Sequence, residues 1–106
     1  MDRIFWQKLT WGQQLGNIGA EIARAGHWQA TNNLATTRDC LLRAFELFDL
    51  SLDDKRWGIA ELRELAIFRE VVADWYSGEK QYNVPTQMLE EYCTQFVLRE
   101  HYLKIK

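Results

Sequence analysis

The sequence predicts an all-α chain, an antiparallel up-and-down four-helix bundle with a short apolar N-terminal segment ahead of it. Three observations lead there. Apolar residues recur at steps of three and four through most of the chain, the period of a helix with one buried face. Nowhere do apolar and polar residues alternate as they do in a half-buried strand. The breaks between periodic stretches are short, which sets successive helices side by side and opposed in direction.

Ile4, Phe5, Trp6 and Leu9 come first and are too apolar for a solvated tail. They are expected either to close one end of the bundle as a short helix or to lie against a neighbouring chain. Thr10-Trp11-Gly12-Gln13 has the spacing of a capping box, in which a hydroxyl and a glutamine side chain satisfy each other's orphan backbone N–H groups. From there Trp11, Leu15, Ile18 and Ile22 form one stripe, and Gly26 is the expected stop. The second helix is expected through Thr37 to about Leu52, capped by Thr36 or Thr37, with Leu34, Leu41, Phe45, Phe48 and Leu52 inward. Asp53-Asp54-Lys55-Arg56-Trp57-Gly58 reads as a short polar connection. The third helix starts at Ile59, turns Leu62, Leu65, Ala66, Arg69, Val72, Ala73 and Tyr76 inward, and stops at Gly78. Residues 77–85 contain the only Pro and make the longest expected loop. Thr86 caps a last helix facing inward with Met88, Leu89, Tyr92, Cys93, Phe96 and Leu103.

A chain of 106 residues suits one domain, residues 1–106. Its 13 Lys plus Arg against 15 Asp plus Glu give a formal charge of -2, too balanced to gather nucleic acid or anionic lipid without a local patch. Cys40 and Cys93 have neither zinc-site spacing nor the density of a disulfide framework. Asp2, Arg3, Gln7 and Lys8 crowd the start, unlike a signal or transit peptide, and no apolar run approaches the ~18 residues of a membrane span. The expected setting is the cytoplasm, with reduced thiols, no membrane and no cofactor.

Several features bear on function. Gly12, Gly16, Gly19 and Ala23 form a second, small-residue stripe on the first helix, read as close packing within the chain, with a groove floor or dimer seam as the other reading. Arg69 falls inside the third helix's apolar stripe and needs a partner. Asp49, near the inward face of the second helix, would supply a bidentate, buried carboxylate. The other reading gathers Glu21, Arg24, Asp49, Arg69 and Arg99 into a polar pocket for a phosphate or carboxylate. Carboxylates at Glu46 and Asp49, Glu61 and Glu64, and Glu70 and Asp74 share helix faces, as magnesium-holding pairs do in all-helical nucleotide pyrophosphohydrolases, but their order departs from that pattern. No metal site is assigned. His27 and His101 lack the spacing of a catalytic triad, and Arg99-Glu100-His101-Tyr102 departs from the signature of HEPN-type ribonucleases. Leu47, Leu50, Phe68 and Trp75 lie off the expected core stripes, an apolar surplus that suggests burial against another chain or under the Ile4 to Leu9 segment.

Gly16-Asn17-Ile18-Gly19-Ala20-Glu21-Ile22-Ala23-Arg24-Ala25, Arg43 to Leu50, and Arg69-Glu70-Val71 with Asp74, Gly78 and Tyr82 together resemble an uncharacterised family of short prokaryotic all-helical proteins. That family joins a GNIGxEIxRA first helix to ExxDL and REVxxD helices. The resemblance implies a small helical protein and carries no catalytic residue with it. Arg38-Asp39 and Phe45-Glu46-Leu47 are similar to the helical substrate-binding partners of minimal nucleotidyltransferases, over a short span.

The residues favour a non-enzymatic helical interaction module, homodimeric or the partner of another cytoplasmic protein. The alternative is a ligand-binding or magnesium-dependent nucleotide-processing bundle, or a nucleotidyltransferase partner. Nucleic acid ranks behind these, since Arg38, Arg43, Lys55 and Arg56 are interspersed with acids.

Overall fold

A computed structural model describes residues 2–77 and Glu91, the side chains of Trp75 and Ser77 excepted. All regular structure among the described residues is helical: α1 (Arg3–Trp6), α2 (Trp11–Ala30), α3 (Leu34–Leu52) and α4 (Ile59–Ser77). The stop at Gly78, the loop after it and the helix expected from Thr86 lie outside the described residues.

Helix boundaries follow local chemistry. The Asp2 carboxylate accepts from the Ile4 N–H at 3.0 Å and starts α1. The capping box at α2 is complete: Thr10 Oγ1 accepts from the Gln13 N–H at 3.1 Å, and Gln13 Oε1 accepts from the Thr10 N–H at 2.9 Å. Its other end differs from expectation, because α2 continues through Gly26 to Ala30. The left-handed residue that ends it is Asn32 (φ 62°), whose N–H donates to the Gln29 carbonyl while that of Asn33 reaches Trp28. This is the Schellman pairing, and a short amide side chain is among the few that tolerate such a φ. Asn33 then caps α3 by accepting from the Thr36 N–H at 3.2 Å, so the helix begins ahead of the threonines expected to cap it. Two adjacent asparagines thus end one helix and begin the next.

α3 packs against α2, α4 and α1. Leu15, Ile18, Ile22 and Ala25 of α2 meet Cys40, Leu41, Ala44 and Phe48 of α3 in a core that also takes Leu65, Phe68 and Val72 of α4 and Trp6 of α1. Leu47 and Phe68, expected outside the core as part of an interface, are buried in it, and Leu50 packs partly buried against it. The reason is that α3 is covered on more than one side, so its buried positions span roughly 120° at about 100° per residue, more than a single stripe. On α4 the buried face is turned by somewhat less than one residue's step from the expected one. This turn seats the Phe68 ring edge-on against Phe48 at 5.3 Å and leaves Ala66 exposed. Burying an aromatic ring in place of Ala66 and Arg69 gains apolar area and keeps a guanidinium wet. Leu34, expected inward, is solvent-exposed in the first turn of α3. Gly12 and Gly19 of the small-residue stripe are buried within the chain, with Gly16 and Ala23 half-buried.

Candidate functional site

Asp49 and Arg69 do pair across α3 and α4, Arg69 Nε donating to Asp49 Oδ1 at 3.0 Å. The pair is neither buried nor bidentate: the side chains are 63% and 36% exposed, and one hydrogen bond joins them. The rotation of α4 accounts for this, since it carries Arg69 from the middle of the apolar face to its rim, where the guanidinium lies 5.2 Å over the Phe45 ring. Glu21 belongs to a separate group. Its carboxylate accepts from Arg24 at 2.6 Å and from Arg43 of α3 at 3.3 Å. Arg43 also donates to Cys40 Sγ at 3.3 Å, and the Glu21 bond raises the Arg43 pKa above its ordinary value. No hydrogen bond or ion pair joins Glu21 and Arg24 to Asp49 and Arg69, so in place of the expected common pocket there are two separate groups, a largely covered Glu21 carboxylate between Arg24 and Arg43 and the exposed Asp49–Arg69 pair. Arg99 lies outside the described residues, as does the Trp75 side chain. Among the described residues no three His, Cys, Asp or Glu side chains gather as a metal site.

A denser polar construction, unforeseen in the sequence, lies where α1 meets the ends of α2 and α3. Trp6 is fully buried, and its indole Nε1 donates to Ser51 Oγ at 2.9 Å. Ser51 donates in turn to Gln14 Oε1 at 2.8 Å, and Trp57 Nε1 donates to the same oxygen at 3.1 Å. Gln14 Nε2 donates to the Trp6 carbonyl and to Asp54 Oδ2, each at 3.0 Å. The buried amide therefore fills both donor and both acceptor positions, and a flipped amide would set oxygen against a carbonyl and a carboxylate. Asp54, 2% exposed, also accepts from Arg56, at 2.7 Å from Nη2 and 3.1 Å from the backbone N–H. Arg56 continues to the Leu9 carbonyl at 2.7 Å and stacks 4.4 Å over Trp57, which meets Trp11 edge-on at 5.1 Å.

Arg56 is the main cause holding the Asp54 carboxyl below its usual range. Burial acts against it, and the Gln14 amide and the Arg56 backbone N–H reinforce it. Asp54 correspondingly raises the Arg56 pKa. Half of this construction had a visible signal: Gln14 and Ser51 are polar residues at helical spacing from Ile18 and Phe48, inside apolar faces. Asp54 had none, since it sits in a connection of charged residues.

Beside this cluster runs an open groove of about 660 Å³, lined by Arg3, Gln7, Asp53, Asp54, Lys55 and Arg56. Arg3 pairs with Asp53 at 3.1 Å. On the outer side of α1, opposite buried Trp6 by the helical period, Ile4 and Phe5 are 68% and 54% exposed. Ile59, two residues beyond Trp57, is 71% exposed. No helix among the described residues is long and apolar enough to cross a membrane. Compared with models of known protein families, with curated proteins and with solved structures, the chain matches none.

Proposed function

We propose that the chain is a non-enzymatic helical protein-interaction module of the cytoplasm, acting as a homodimer or as the partner of another protein, with α1 as its contact element. An antiparallel up-and-down bundle and membership of the short prokaryotic helical family belong to the same proposal. The observation that carries it is the contrast within α1. Trp6 and its hydrogen bonds to Ser51 and Gln14 anchor a single turn of helix that presents Ile4 and Phe5 to water. Exposed apolar residues scattered singly are ordinary, whereas adjacent ones on an anchored turn form a pre-organised contact, whose ordering entropy is already met in the free chain. The proposed contact surface is thus the outer side of α1, since Leu47 and Phe68 lie in the core.

A photo-crosslinking phenylalanine analogue at position 5, activated in cells, is expected to give one discrete adduct, absent when the analogue replaces exposed Glu70. Sedimentation at low concentration then identifies the partner: a dimer weakened by Phe5→Ser means a second copy, and a monomer means a different protein. A monomer that also gives no position-specific adduct overturns the proposal.

A further inference from the structure

We propose that the groove between α1 and residues 53–58 receives an acidic, extended segment of a partner protein, a carboxylate seated at Lys55 and an apolar side chain laid beside it on Ile4. This rests on the interaction-module reading and names the chemistry of the partner.

The groove's own charges decide the sign. Its two carboxylates are occupied: Asp53 by Arg3 at 3.1 Å, and Asp54 by Arg56 and by the Gln14 amide. Lys55 is exposed and makes no hydrogen bond or ion pair among the described residues, so the lining carries one uncompensated positive charge. The lining can also hydrogen-bond a carboxylate. Arg3, Gln7 and Lys55, which line it, carry N–H donors, while Asp54, nearly inaccessible, has its oxygens filled by donors from its own chain. A cation would meet the net positive charge that Lys55 leaves in the lining.

Size and rim decide between a small anion and a segment. An open groove of about 660 Å³ leaves a lone phosphate largely hydrated, where its Coulomb attraction is weak. By the helical period Ile4 lies next to the Arg3 and Gln7 face of α1, which puts an exposed apolar side chain at the groove's edge. A carboxylate and an apolar residue close together on one strand use both features. The charges then supply orientation and association rate, and the apolar contact supplies residence time.

The test uses the full chain and a short fluorescent peptide of alternating glutamate and leucine, followed by anisotropy. Binding is expected, weakened at least about tenfold by Lys55→Glu and also by Gln7→Glu, which adds a carboxylate to the groove wall. Circular dichroism confirms that both variants fold. A counterpart peptide with lysine in place of glutamate should not bind. Equal binding of the lysine peptide, or no effect of either variant, overturns the proposal. So does competition by inorganic phosphate at the peptide's own concentration, which indicates a small-anion site, or by vesicles containing phosphatidylserine, which indicates a lipid surface. If the position-5 adduct persists while the glutamate peptide fails to bind, the interaction module stands and the groove's assignment falls.

Discussion

Where α2 begins and α3 ends, Gln14 uses both donors and both acceptors on partners from α1, α3 and the 53–58 connection. Along the α3–α4 seam Asp49 and Arg69 share one hydrogen bond between side chains 63% and 36% exposed. Both regions are polar contacts between helices, but they respond differently to losing a member. At the exposed pair water takes the vacated place, and the interaction is a small surplus. In the buried cluster a vacated place is far from solvent, so a deletion leaves at least one buried group short of a partner, and these groups together specify how four pieces of chain meet. The positioning of α1, and with it the presentation of Ile4 and Phe5, therefore depends on the buried cluster and hardly on the surface pairs.

The largest effect expected from this contrast is at Trp6. Trp6→Ala removes a fully buried indole and the donor to Ser51 Oγ, and is expected to destabilise the chain by about 3–5 kcal/mol in urea denaturation. Phe5→Ala, one residue away on the exposed side, is expected within about 0.5 kcal/mol of wild type. Similar losses from the two would mean that α1 is not anchored as described.

Acid sharpens the contrast further. The folded-state pKa of Asp54 lies below the ordinary aspartate value of about 3.9, so the unfolded chain binds the proton more readily. The stability contributed by this carboxylate is fully present above that unfolded value and is lost as pH falls through the depressed folded pKa. Asp54→Asn is accordingly expected to lower the urea midpoint at neutral pH, with wild type and variant converging in strong acid. A difference that stays constant with pH would contradict the bonding to Arg56.

The smallest effect belongs to the surface pair. A double-mutant cycle with Asp49→Asn and Arg69→Gln is expected to give a coupling of about 0.2–1 kcal/mol that shrinks in molar salt. A larger, salt-resistant coupling would place this pair with the buried cluster and erase the distinction.

What could be read in the sequence was settled within a turn or two of helix. Thr10 and Gln13 cap each other across three residues, and Leu15, Ile18 and Ile22 fall on one face whatever covers them. The pairing of Asp49 with Arg69 was legible for the same reason, since helical spacing put both beside the α3–α4 seam. Local patterns also misled where two residues could serve one purpose: Asn32, not Gly26, took the left-handed turn, and Asn33, not a threonine, the next cap.

The sequence by itself determined that the described chain is helical, roughly where its helices run, and which residues are apolar enough to form a core. Only the tertiary structure decided that Leu47 and Phe68 lie inside, that Arg69 stays at the rim, and that Trp6, Gln14, Ser51 and Asp54 meet. A single helix has a periodic face, but how much of it is buried depends on how many neighbours cover it. A buried polar group selects its partners by the cost of leaving any of them dry and unpaired, among residues up to 45 positions apart.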